Sequence, residues 1–315
     1  MNGLELARGY FEEFGRPMLE RDFPELMDTV AAGLVGEGSE CFGYDDEISR
    51  DHDFEPGFCL FIPDGENVVD TRTEFRLERA YAALPKEYMG VKRQKISPVG
   101  GNRHGVIRVG DFYKRFIGSP DGLHTLADWA SVPEHFLAAA TNGEVFFDGA
   151  GVFSAIRENI SAYPDDVFYK KLAGSLLLAA QSGQYNYPRC LSHGETGAAA
   201  LAMGEFVRHA MQCVFLLNRR YMPYYKWSFR ALRGLPDMAS LSETFEFLLT
   251  SDNSPDMAEI KRNAVEDVAS ELIARLSDGG MTDAICGDLE KHAYSVNDRV
   301  ADPGLRNANV LALVR

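Results

Sequence analysis

The stretch from Gly38 to Phe54 constrains this chain more than any other part of it. It reads Gly-Ser-Glu-Cys-Phe-Gly-Tyr-Asp-Asp-Glu-Ile-Ser-Arg-Asp-His-Asp-Phe, between the apolar runs Val30-Ala-Ala-Gly-Leu-Val35 and Gly57-Phe-Cys-Leu-Phe-Ile62. Short apolar runs bounded by glycine and polar residues read as buried strands. A Gly38–Ser39 turn after the first run can present backbone N–H groups and a hydroxyl to a phosphate. If Asp51-His52-Asp53 lies on the next strand, side-chain alternation puts both aspartates on one face and His52 on the other. Two carboxylates about 7 Å apart along a strand can share Mg²⁺. The competing reading is a solvated acidic loop, since acidic clusters are common in a chain with 47 Asp and Glu.

The remaining composition narrows the function classes. A net charge of −15 opposes a role on long nucleic acids, whose non-specific binding depends on Lys and Arg, and mildly favours a cationic acceptor. It leaves room for a single nucleotide, because a bound Mg²⁺ and a few local cations suffice for one triphosphate. No run approaches 18 consecutive apolar residues, and the N-terminus lacks a signal-peptide layout, so a cytoplasmic protein without membrane contact is expected. The five cysteines, Cys41, Cys59, Cys190, Cys213 and Cys286, form no close pairs and read as free thiols. His104 and His193 stand isolated, and no His-x-x-x-His pair points to zinc.

Along the chain, helical spacing marks residues 3–32 and 67–84, a strand is expected at 104–109, and a short aromatic helix at 111–117. Residues 85–103 read as a surface loop, or as a cationic flap beside a triphosphate. Glu144 to Asp148 is strand-like. From residue 152 onward the pattern is helical, over 152–160, 164–182, 195–220, 223–234, 239–250, 256–277 and 281–299. Gln184 to Arg189 reads as a polar–aromatic loop between long helices. Lys226, beside Trp227 near a helix start, is placed to meet a phosphate while a ring stacks on the base, or else to snorkel from an interhelical cluster. Arg189 is a weaker candidate for the same role.

Gly-Ser, a spacer of this length, then Asp-x-Asp resembles the signature of the nucleotidyltransferases related to DNA polymerase β, which include the aminoglycoside and minimal nucleotidyltransferases. Within them, the wording Gly43-Tyr-Asp-Asp-Glu-Ile-Ser-Arg-Asp-His-Asp53 is similar to the family called domain of unknown function 4037. Gly143-Glu-Val-Phe-Phe-Asp148 and Asn218-Arg-Arg-Tyr-Met-Pro-Tyr-Tyr-Lys-Trp227 share that likeness.

The resemblance implies an α+β protein. A mixed-sheet nucleotidyltransferase domain over residues 1–150 would be followed by an all-α helical domain over 151–315 that forms the other wall of the cleft. It implies transfer of a nucleoside monophosphate from an NTP, with ATP expected, to a hydroxyl on a small molecule or protein. Asp51 and Asp53 would be catalytic and hold Mg²⁺, with Mn²⁺ as the alternative ion. Gly38, Ser39, Lys226 and Arg189 would bind the nucleotide. These relatives commonly draw a third carboxylate from a strand after the Asp-x-Asp, yet 104–109 offers Ile107 and Arg108. Asp148 is the substitute, against a plain strand-end turn before Gly149. The alternative function is a nucleotide-binding regulatory protein without turnover.

Overall fold

The structure, a computed structural model, describes residues 1–46, 54–93 and 103–314. Its class is α+β, helix-rich around a small mixed sheet. The chain divides into two compact units, Met1–Asp128 with Val132–Ser161, and Trp129–Ser131 with Ala162–Arg315.

The first unit is built on strands β1 (Ala31–Leu34), β2 (Cys59–Ile62), β5 (Gly105–Arg108) and β6 (Glu144–Asp148), in the order β5-β2-β1-β6. β1 runs antiparallel to both neighbours, whereas β2 and β5 are parallel. Every residue of β1 and β2 is buried, as expected of strands covered on both faces. Leu60 and Ile62 join the cluster of Tyr10, Phe11 and Leu77. Phe61 projects the other way, its ring stacked on Phe153 at 4.2 Å and edge-to-face with Phe112 at 5.2 Å. Gly33 marks a register shift between β1 and β6, where a Cβ would stand 2.5 Å from the Glu144 carbonyl oxygen.

The helices of this unit are α1 (Gly3–Tyr10), α2 (Arg16–Asp22), α3 (Thr71–Ala83), α4 (Val109–Ile117), α6 (Glu134–Thr141) and α7 (Val152–Asn159), and the division between the two units falls within α5 (Leu126–Ser131). α1 opens with a capping box between Asn2 and Glu5, and joins α2 through a π turn at Phe11–Gly15. Pro17 has no N–H for a regular helical bond there, which fits the local change of register. α3 starts later than its apolar spacing suggests because Asp70 caps Thr73 N at 2.7 Å. In place of a plain loop at residues 85–93, β3 (Glu87–Tyr88) and β4 (Val91–Lys92) form a hairpin. Its turn residues Met89 and Gly90 both have positive φ, the geometry that suits two-residue hairpins.

The second unit carries α8 (Asp165–Ala179), α9 (Tyr187–Ser192), α10 (Thr196–Leu217), α11 (Tyr225–Leu232), α12 (Leu241–Thr250), α13 (Pro255–Asp278), α14 (Leu289–Asn297) and α15 (Pro303–Asn307). α10 is long and apolar enough to cross a membrane, but it is mostly buried as a core helix of this unit. The expected loop at Gln184–Arg189 is helical instead, a π turn over Ala180–Asn186 running straight into α9. Pro188, at the start of α9, has no N–H to continue the ladder from the preceding turn, which fits the switch from π to α bonding here. The helix expected over 281–299 is confined to α14, which starts at the Asp288 cap.

Candidate functional site

β1 leaves the sheet through Leu34 and Val35 into the turn that contains Gly38 and Ser39. Gly36 has φ +113° and Gly38 has φ +139°, conformations that side chains with a Cβ rarely adopt. Asn142, at the end of α6, clasps Gly36 from both sides: Gly36 N donates to its Oδ1 at 2.8 Å, and its Nδ2 donates to Gly36 O at 2.6 Å. Ser39 O accepts from Tyr44 N at 2.7 Å and closes the turn. Glu37 is tied to Arg115 of α4 at 2.6 Å. The acid Asp45 accepts from Gly3 N at 2.9 Å, so it anchors the start of α1.

The antiparallel register sets Cys59 opposite Gly33. The chain therefore approaches β2 at the same end of the sheet where β1 gives onto the Gly36–Ser39 turn. Three side chains fix this approach. Tyr81 OH donates to Phe58 O at 2.7 Å and accepts from Phe58 N at 3.0 Å. Arg93 donates to Pro56 O at 3.3 Å, and His104 Nδ1 lies 3.2 Å from Glu55 Oε1.

Between the turn and this approach lies a small open cleft, whose lining includes Glu37, Glu40, Arg103, His104, Phe112 and Arg115. Cys41 and Cys59 also border it. Burial raises the Cys41 thiol well above its usual range and pushes Cys59 up to about 12, so neither is a thiolate nucleophile at neutral pH. All five cysteines are free; Cys41, Cys59 and Cys213 are buried, Cys190 is half-buried and Cys286 is exposed.

The residues singled out from the sequence fall into three groups. Gly38 and Ser39 sit on the turn beside this cleft. Asp51 and Asp53 lie outside the described residues, and among the described residues no group of three His, Cys, Asp or Glu could hold a metal ion. Asp148, Arg189 and Lys226 make the third group, the first on β6 and the other two on helices of the second unit. Asp148 pairs with Ala31, at the far end of β1 from the Ser39 turn. Its Oδ1 accepts from Gly151 N at 2.9 Å and its Oδ2 from Ser154 N at 2.8 Å, so the carboxylate ties the start of α7. Arg189, on α9, lies 5.7 Å from the Tyr185 ring. Lys226 is exposed on α11, with Nζ 4.7 Å from the Trp227 ring. Both belong to the second unit.

β5 supplies no acid at this end. Its Arg108 donates to Pro63 O, Val69 O and Glu74, which makes it a structural clasp. Sequence patterns pointed neither to Asn142 nor to the Glu55–His104 pair. The only local signal for His104 is its place at the head of a strand.

Residues 129–228 match the family model described as domain of unknown function (DUF4037). The matched span contains Gly143–Asp148 and Asn218–Trp227, and it begins well after the Gly38–Phe54 stretch. No curated protein and no solved structure matches the chain.

Proposed function

We propose that this protein is an Mg²⁺-dependent nucleotidyltransferase of the DNA polymerase β type. It moves a nucleoside monophosphate from an NTP, with ATP the expected donor, to a hydroxyl on a small molecule or protein. The observation that carries this reading is the β1–β2 register. It sets the start of β2, which follows Asp51-His52-Asp53 in the chain, at the same end of the sheet as the Gly38–Ser39 turn after β1.

The turn would hold the β- and γ-phosphates through backbone N–H groups and the Ser39 hydroxyl. Asp51 and Asp53 would hold the metal, which when bound clamps a triphosphate and offsets the charge developing on its leaving oxygen. Much of the rate would come from positioning within this scaffold.

A second reading, a nucleotide-binding regulatory protein without turnover, is favoured by one feature. β5 offers no carboxylate, and Asp148 spends both oxygens on α7. Pyrophosphate release with Mg²⁺ and each NTP, across a panel of hydroxyl acceptors, decides between them. Turnover that disappears in Asp51→Asn and Asp53→Asn supports the transferase. Metal-dependent ATP binding with no turnover on any acceptor supports the regulatory protein, and no nucleotide binding at all sinks both.

A further inference from the structure

We propose that α11 and the residues leading into it form a docking surface for a short stretch of single-stranded nucleic acid. The proposal concerns the second unit alone and does not rest on the nucleotidyltransferase reading. It starts from the distribution of charge. Residues 218–236 hold Arg219, Arg220, Lys226, Arg230 and Arg233 and no acid, in a chain whose 47 Asp and Glu outnumber its 32 Lys and Arg. A polyanion is therefore repelled by the chain as a whole and attracted at this segment, which limits the contact to a few nucleotides.

Folding then puts three of those charges in a row. Lys226, Arg230 and the C-cap residue Arg233 follow one another at four- and three-residue spacing, so they share one face of α11, and all three are exposed. Ser228 and Leu232 lie on the opposite side and are buried. The helix thus spends its packing face inside its own unit and turns its cations to solvent. Arg233 meets Glu246 at 3.1 Å, but both side chains are more than half exposed, so a phosphate displaces that pair at little cost.

Aromatic rings stand beside this row. Tyr225 is 74% exposed and Tyr224 is 48% exposed, with their rings 4.3 Å apart at the start of the helix. Lys226 Nζ lies 4.7 Å from the ring of half-buried Trp227. Cations that meet phosphates and rings that stack on unpaired bases are the two parts of single-strand binding. A duplex keeps its bases stacked on one another, out of reach of such rings. Lipid is a poorer occupant, because the apolar side of α11 is already used inside the unit. An acidic peptide would engage the cations and leave the exposed tyrosines idle.

The test uses the full chain and a fluorescein-labelled oligouridylate of about eight nucleotides, with anisotropy followed over a series of salt concentrations. Binding is expected to weaken as salt rises, with a log–log slope between about −2, from the three cations of the α11 face, and about −3.5, from all five. The triple variant Lys226→Gln, Arg230→Gln, Arg233→Gln is expected to lower the affinity about 10-fold or more at low salt and to reduce the slope by about 2. Tyr225→Ala is expected to weaken binding by about 5- to 100-fold and to leave the slope as in the wild type. If circular dichroism shows a folding defect, Lys226→Gln alone, with a slope change of about 0.7, and Tyr225→Leu replace them. A wild type that does not bind at low salt, or a triple variant that binds like the wild type, overturns the proposal. Unchanged affinity in Tyr225→Ala overturns the nucleic-acid assignment, and displacement of the oligonucleotide by polyglutamate then identifies an acidic protein segment as the occupant.

Discussion

The first unit gathers its polar side chains where strands end, around an open cleft, whereas the second threads them through a helical interior. In the first, Asn142, Glu55, His104 and Arg115 each reach a turn or strand lead-in at one end of the sheet. In the second, Lys170 of α8 is fully buried and donates to Asn297 Oδ1 at 2.8 Å, Ala308 O at 2.8 Å and Arg306 O at 3.3 Å. Lys171 donates to Leu313 O at 3.1 Å, and Lys261 reaches Ser251 O and Asn253 at 3.1 Å. A helical unit without a sheet must hold its last turns and tail by side chains, because helix ends leave carbonyl groups without intrahelical partners. A sheet satisfies its own backbone and frees side chains at its ends for ligands. Buried charge in the second unit therefore ties helices and tail together, whereas the polar side chains at the strand ends of the first fix the turn and the strand approach that border the cleft.

That contrast is open to direct attack, and the heaviest blow falls on Lys170. Lys170→Ala removes three hydrogen bonds at a fully buried position and leaves their acceptors stranded, at a cost of about 4 kcal/mol. Both tryptophans, Trp129 and Trp227, belong to the second unit, so urea unfolding followed by tryptophan fluorescence reads the loss. An unchanged midpoint would mean that the buried lysine does not hold this unit together.

The next effect is a pH dependence. His209 on α10 is 2% exposed, and burial, with Arg208 beside it, lowers its pKa from 6.5 to about 4 against the pull of Glu205. Between those values the folded chain keeps the ring neutral while the unfolded chain binds a proton, so stability is lost as pH falls through that window. The loss approaches about 3 kcal/mol by its lower edge. Fluorescence-monitored urea titrations at several pH values should show it, and His209→Gln should flatten it.

Gly38→Ala probes the other unit. It forces a side chain into φ +139° and against the Glu40 carboxylate, which costs about 2 kcal/mol and displaces the Ser39 turn. Weaker binding of an ATP analogue would accompany the loss of stability. Full affinity in a displaced turn would separate Ser39 from nucleotide binding. Smallest is Asp148→Ala, which removes the tie at the start of α7 at a cost of about 1 kcal/mol in thermal unfolding. Its turnover should equal that of the wild type, in contrast to Asp53→Asn; a collapse in rate would return Asp148 to the chemistry.

Much of the scaffold was readable from local pattern. The apolar runs at Ala31–Leu34 and Cys59–Ile62 and the periodicity of α8, α10, α12 and α13 predicted their elements to within a few residues. Reading failed where short motifs or neighbours decide the backbone. α5 announces itself only by the Thr125–Asp128 capping box, and Gln184–Arg189 looked like a loop because polar and aromatic residues hide a π turn. For Asp148 the strand-end reading describes its contacts, since the nearby N–H groups of Gly151 and Ser154 lie within reach of a turn.

The amino-acid sequence by itself settled the two central strands and most of the long helices, and that a Gly-Ser turn follows the first buried strand, because those depend on side chains a few positions apart. Tertiary structure alone decided which groups share the cleft. Glu55 and His104 are 49 residues apart, Glu37 and Arg115 are 78, and Gly36 and Asn142 are 106. Such pairs are set by strand order and register, which bring distant stretches to one end of a sheet, and no local spacing encodes them.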